Sequence, residues 1–216
     1  MSLLTLEIDF IQTAFTQEPK DETALLGGEY LQCASFAEKR RKEFATGRYC
    51  AREAFLRLGV PVAPIPIGRQ RQPCWPSGVS GSISHTKGLT GAMVAWQHDF
   101  SAVGLDIEQR FAVSTKLHDR ILTPSEQSWI QGDAEMATLV FSVKEAFYKM
   151  QFPLTGLFLD FTEVEVSQDL GSMKVLKVFP AIGSHRLGHK FWNNHIITWA
   201  LAYGETGCPT GEISSR

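Results

Sequence analysis

The sequence has no C-x-x-C pair: its four cysteines, Cys33, Cys50, Cys74 and Cys208, are scattered along the chain. That argues against a four-cysteine zinc site, and at 216 residues no disulfide framework is needed to stabilise a core. No run approaches the ~18 uncharged apolar residues that a membrane span requires. Charge of one sign is also missing. Lys plus Arg number 21 and Asp plus Glu 23, a formal net charge of −2, which gives no global attraction for nucleic acid. There is no low-complexity tract, no short repeat and no G-x-S-x-G nucleophile elbow. The opening MSLLTLEIDF carries Glu7 and Asp9 and no early Lys or Arg, so it does not read as a secretory signal. What is present, 44% hydrophobic and 20% charged residues, excludes disordered and fibrous classes. The expectation is a cytoplasmic globular protein, large enough for one domain or two small ones.

Residues 60–80 hold five prolines and read as an extended loop. Before it, Phe44, Ala51, Phe55 and Leu58 recur at helical spacing. Ser35, with Glu38 as its reciprocal partner, is the expected N-cap, and Gly59 followed by Pro61 the stop. Arg41, Arg48 and Arg52 make a stripe beside the apolar face, and mid-helix Gly47 permits a close approach. Residues 89–96 and 102–108 read as two strands joined in a hairpin. In the second, Val103, Leu105 and Ile107 point one way and Gly104, Asp106 and Glu108 the other. Thr123-Pro124-Ser125-Glu126 opens a second helix. Residues 137–152 form a third, stopped at Pro153, with Leu139, Val143, Ala146, Phe147 and Met150 on its apolar face. Residues 161–166, 173–179 and 191–203 read as strands, and 204–216 as a loose tail. The expected fold class is α+β or α/β, in two similar lobes divided as 1–103 and 104–216.

Several residues suggest chemistry. Asp106 and Glu108, two apart on a strand, share a face, where they repel unless a cation lies between them. An oxygen-only pair suits Mg²⁺ bound together with water and substrate phosphates. The bland alternative is a solvated strand face. Lys144, Glu145, Tyr148 and Lys149 cluster on one side of a helix. They read either as a third carboxylate with two phosphate-contacting lysines, or as a surface with an ordinary Glu145–Lys149 ion pair. Ser84 and His85 suit a phosphate contact or a turn. The arginine stripe is an anion patch or a solvated helix face. His185 and His189 stand four apart, but Gly183 and Gly188 argue against a helix there and against zinc.

Taken together, RRKEF with GRYCAREAFLRLG, QPCWPSGVSGSISHT, VGLDIE, LTPSE and FSVKEAFYKMQFPLTG, all within residues 40–156, resemble the 4'-phosphopantetheinyl transferases. The likeness is to the Sfp-like class and its enterobactin synthetase branch. The resemblance implies two similar lobes in pseudo-twofold arrangement, each a small sheet packed with a long helix, and coenzyme A between them. It implies transfer of phosphopantetheine from coenzyme A to a serine of an apo acyl or peptidyl carrier protein, with release of 3',5'-ADP. That serves siderophore, nonribosomal peptide or polyketide biosynthesis. Carried over, Asp106, Glu108 and Glu145 hold Mg²⁺, with Mn²⁺ as the other candidate. Glu145 is alternatively the general base. Lys144 and Lys149 contact phosphates, Arg48 and Arg40 grip the 3'-phosphate, and Ser84 and His85 touch coenzyme A phosphates. Some relatives carry a lysine near position 67 that touches the nucleotide, where the nearest cations here are Arg69 and Arg71. The family habit is a monomer. Residues 113–119, with Lys116, are the expected carrier contact. Two other classes compete: a non-catalytic coenzyme A or nucleotide-binding protein, and a metal-dependent phosphohydrolase. The second lacks further Asp/His clusters.

Overall fold

The computed structural model describes residues 4–204; the rest of the expected tail, with Cys208, lies outside them. In chain order the elements are β1 (Ile11–Thr16), α1 (Glu29–Cys33), α2 (Glu38–Leu58), β2 (Val79–Thr86), β3 (Leu89–Trp96) and β4 (Phe100–Gln109). They continue with α3 (His118–Ile121), α4 (Pro124–Ile130), α5 (Ala134–Thr155), β5 (Val164–Val166), β6 (Met173–Val175), β7 (His185–Trp192) and β8 (His195–Tyr203). The class is mixed α and β. There are two antiparallel three-stranded sheets, β1-β3-β2 and β4-β8-β7, and a separate small β5-β6 pair. Helix α2 packs on the first sheet and α5 on the second.

The expected β3–β4 hairpin does not form. Strand β3 is paired on both edges, by β1 and by β2, while β4 pairs with β8. Adjacency in sequence could not show that both edges of β3 are filled from elsewhere. The two sheets are instead joined through serine side chains. Ser80, Ser82 and Ser84 alternate along one face of β2. Ser80 Oγ donates to Phe100 O at 2.8 Å, Leu105 N donates to Ser82 Oγ at 2.9 Å, and Ile107 N donates to Ser84 Oγ at 3.2 Å. The hydroxyls thus take the place of a paired strand for the β4 backbone.

The two long helices follow their sequence signals in the middle and depart from them at the ends. Helix α2 starts after Ala37, which makes no side-chain cap. Ser35 belongs instead to the turn closing α1, where Phe36 N donates to Cys33 O. The stop is as expected, with Gly59 at φ 79. Helix α5 passes through Pro153 and ends at Gly156, φ 66. A proline in the last turn forfeits only a ladder bond near the helix end, so it need not terminate the helix. The helix start read at Thr123 forms, closed by a capping box with Glu126. The strand read over 191–203 is a hairpin, β7 turning at Asn193 (φ 50) into β8. The strands read over 161–166 and 173–179 shrink to β5 and β6, and the expected 103/104 boundary falls inside β4.

Val103, Leu105 and Ile107 enter a core shared with Met93 of β3 and Ile197 and Leu201 of β8. The opposite face of β4, expected to be polar, is covered by α5. A Cβ on Gly104 would stand 1.9 Å from Ala146 O, so only glycine lets the helix backbone lie this close. That contact leaves Asp106 only 4% exposed.

Candidate active site

Arg40, Phe44 and Arg48 follow one another at i+4 along α2 and so share a face. Opposite them stand Ser84 and His85 at the end of β2, Asp106 of β4 and Lys149 of α5. Ile67, Arg71 and Pro73 of the proline-rich loop close one side of a cleft of about 530 Å³. A second cavity of about 520 Å³ adjoins it and shares Arg71, Pro73, Ile83 and Lys149. Both fall in the size range of small-ligand sites.

Asp106 is the best-held side chain in the cleft. Its Oδ1 accepts from Lys149 Nζ at 2.7 Å and Ser84 Oγ at 3.0 Å, and its Oδ2 accepts from Ser142 Oγ at 2.8 Å. Lys149 therefore pairs with Asp106, not with Glu145 as an ordinary helix surface would have it. Glu108 and Glu145 make no hydrogen bond or ion pair among the described residues. Burial, aided by the negative charges of Asp106 and Glu145 and opposed by Lys149, pushes Glu108 up to about 7. Burial also raises Glu145; Lys149 opposes this and Asp106 adds to it.

Of the arginines on α2, Arg48 stands apart. Arg41 pairs with Glu22 at 2.6 Å and Arg52 with Glu29 at 3.0 Å, so both ends of the expected stripe are neutralised inside the fold. Arg40 bonds Glu43 at 3.2 Å. Arg48 is 7% exposed and has no carboxylate partner among the described residues. It lies over the Phe44 ring at 3.8 Å and donates Nε to Ile65 O at 3.2 Å. Burial lowers it to about 10, which leaves it charged at neutral pH. Burial also lowers His85, with Glu43 opposing and the Arg40 charge assisting. Arg40 Nη1 sits 2.8 Å from His85 Nε2. Arginine can only donate, so Nε2 accepts and Nδ1 carries the proton.

Glu145 lines not this cleft but a separate cavity of about 140 Å³, shared with Tyr148 and Phe158. Lys144 also lines that cavity and not the cleft where its phosphate contact was expected. Its ammonium donates to Glu126 Oε2 at 2.6 Å, Ile121 O at 2.9 Å and Phe161 O at 2.8 Å, with all three donors satisfied inside the protein. Alternate positions one residue apart on a helix face different ways, and Lys144 took the buried one. Glu43 was not singled out from the sequence, and Phe44 was read only as part of the apolar helix face, although its i+4 spacing with Arg40 and Arg48 places it in the cleft. Of the two cations named near position 67, Arg71 lines the cleft and Arg69 does not. Glu126 was read only as part of a helix start, which hid its role as the counter-ion of Lys144.

Two family models divide the chain between them. The 4'-phosphopantetheinyl transferase N-terminal domain matches residues 29–95, and the 4'-phosphopantetheinyl transferase superfamily matches residues 102–200. The 4'-phosphopantetheinyl transferase Svp of Streptomyces mobaraensis is 40% identical over 185 residues, 81% of this chain and 75% of that one. The chain belongs to the 4'-phosphopantetheinyl transferase family. The transferase is also 35% identical to the 4'-phosphopantetheinyl transferase Npt of Nocardia iowensis over 155 residues, covering 70% of this chain and 69% of that one. Enterobactin synthase component D of Escherichia coli (strain K12) is 38% identical over 140 residues, 61% of this chain and 65% of that one. The first match ends before the β3–β4 turn and the second begins in β4. The transferase has no described helix long and apolar enough to cross a membrane.

Proposed function

We propose that the cleft binds coenzyme A with its 3'-phosphate on Arg48 and Arg40, and that the acidic end beside it carries out transfer to an apo acyl or peptidyl carrier protein. The observation that carries this reading is the buried, unpaired guanidinium of Arg48. A buried cation without a counter-ion is costly, and an anionic ligand relieves that cost. His85 Nδ1–H adds a neutral donor. Arg71 reaches the cleft from the loop that also holds Ile67, in the region where some relatives use a lysine.

The acidic residues suit an oxygen-coordinated divalent ion, Mg²⁺ or Mn²⁺. Glu108 and Glu145 are unpartnered and both raised, partly by like charge, which a cation between them would reverse. Among the described residues no group of three or more His, Cys, Asp or Glu side chains is placed to hold a metal ion, so Asp106, Glu108 and Glu145 do not stand as a preassembled set. An ion held by part of a shell, completed by water and substrate phosphate, is the arrangement Mg²⁺ favours. When bound, such an ion neutralises charge on the pyrophosphate. Glu145 accepts the proton of the carrier serine hydroxyl, directly or through water. The serine oxygen forms its bond to the phosphorus of the pantetheine phosphate. The bond to the leaving 3',5'-ADP breaks, and Lys149 moves its charge from Asp106 to the departing oxygen. The nucleophile belongs to the carrier, in keeping with the absence of an elbow in this chain.

Two sheets, each with a long helix, and family matches on either side of residues 96–101 support the reading of two similar lobes with the cleft between them. For carrier docking, Lys116 and its neighbours in 113–119 are exposed, but Val113 is 4% exposed and serves the core. A monomer is retained as the working state. Calorimetric titration with coenzyme A and with dephospho-coenzyme A, which lacks the 3'-phosphate, tests the cleft. The native protein should prefer coenzyme A and Arg48→Ala should lose that preference. An Arg48→Ala variant with the native preference would remove the phosphate from this site.

A further inference from the structure

Pro64 and Pro66 have no N–H, so Ile65 supplies the sole backbone donor of that tripeptide. That donor is captured by a buried carboxylate. Glu29, 1% exposed on α1, accepts from Ile65 N at 2.6 Å through Oε1 and from Leu26 N at 2.8 Å through Oε2. Arg52 Nη1 donates to both oxygens, at 3.0 and 3.2 Å, and its Nη2 donates to Ala24 O. The carbonyl of the same residue accepts from Arg48 Nε at 3.2 Å, the one hydrogen bond of that guanidinium among the described residues, and Arg48 lines the cleft. One turn along α1, Gln32 holds the next free backbone position, accepting from Ile67 N at 2.8 Å. The short helix therefore fixes by side chains a loop that its own prolines keep out of any sheet.

We propose that Glu29 is a positioning residue for coenzyme A recognition: through Ile65 it sets the depth and orientation of the Arg48 guanidinium in the cleft. The proposal rests on the reading of Arg48 as the phosphate contact. A guanidinium recognises phosphate by a planar fork, so a small rotation about Nε misaligns both of its remaining nitrogens. Glu29→Asp keeps the charge that Arg52 needs but draws the carboxylate back from Ile65. Glu29→Gln keeps the length and an acceptor oxygen for Ile65 but loses the charge.

The two variants therefore separate positioning from stability. Steady-state kinetics are measured at a temperature where circular dichroism shows each variant folded. Glu29→Asp should raise the KM for coenzyme A by about three- to tenfold, with kcat and the KM for the carrier unchanged. Glu29→Gln should melt at a lower temperature and keep the native KM. Placed on Arg48→Ala, Glu29→Asp should add nothing further. An unchanged KM in Glu29→Asp, or a rise that adds in full on Arg48→Ala, overturns the proposal. If Glu29→Asp does not fold, a raised KM in Glu29→Gln overturns it as well, and a native KM at a lowered melting temperature supports it. Failure of the underlying reading is distinguishable: in that case Arg48→Ala alone leaves the KM for coenzyme A at the native value.

Discussion

Neighbours on the same helix turn can be held differently: Lys144 is fully paired, and Glu145 has no partner among the described residues. Lys144 lies in a sealed pair with Glu126, 1% and 0% exposed at the side chain. Removing one partner of such a pair leaves an uncompensated buried charge and costs about 3–5 kcal/mol. Lys144→Met should therefore lower stability by that amount in urea unfolding, with the KM for coenzyme A unchanged in the fraction that stays folded. A raised KM at native stability would return Lys144 to the cleft. Asp106 calls for a milder probe than alanine, because three donors converge on it and would be stranded together. His85 gives a pH prediction. Its folded pKa lies below the ordinary 6.5, through burial and the charges of Arg40 and Lys149, against Glu43 and Asp106. The unfolded chain therefore takes up this proton first. His85 contributes little to the pH dependence above about 7.5, and stability falls as pH drops through about 6.5. His85→Gln should flatten the decline in melting temperature between about pH 7 and 5. An identical slope would contradict the assignment.

At the scale of elements, much was legible. The alternation of Val103, Leu105 and Ile107, the Thr123 cap and the apolar face of α5 are local patterns, and each element formed where its pattern lay. The misreadings were of partners. Strand β4 was assigned to β3 because they are adjacent, while the serines of β2 that support it looked like turn or phosphate residues. A face bearing Gly104, Asp106 and Glu108 reads as solvated until α5 is laid on it. Gly104 makes this contact possible, and Gly104→Ala should destabilise the protein by about 1–3 kcal/mol or more, since the obstacle is the Ala146 carbonyl and no rotamer relieves it. Chemical denaturation checks this; native stability would mean that α5 does not lie on β4 as described.

At the scale of the molecule, the site is assembled from α2, β2, β4, α5 and the 65–73 loop, so no window of sequence contains it. Its candidates were readable one by one: Asp106, Glu108 and Glu145 as metal-ligand candidates, Arg48 as one arginine among several. Which arginine would be left unpaired depended on Glu22 and Glu29 reaching α2 from upstream, and only the fold shows that. The account's central claim is that coenzyme A lies in this cleft and that Glu145, beside it on α5, carries the transfer of phosphopantetheine. Intact-mass measurement of apo carrier proteins incubated with coenzyme A, Mg²⁺ and either the native protein or Glu145→Gln tests it most directly. Glu145 makes no hydrogen bond among the described residues, so the variant should melt like the native protein. The account predicts one phosphopantetheine added by the native protein, none when EDTA is present, and a rate about 10²–10⁴-fold lower with Glu145→Gln. Near-native modification by a folded Glu145→Gln variant would contradict it.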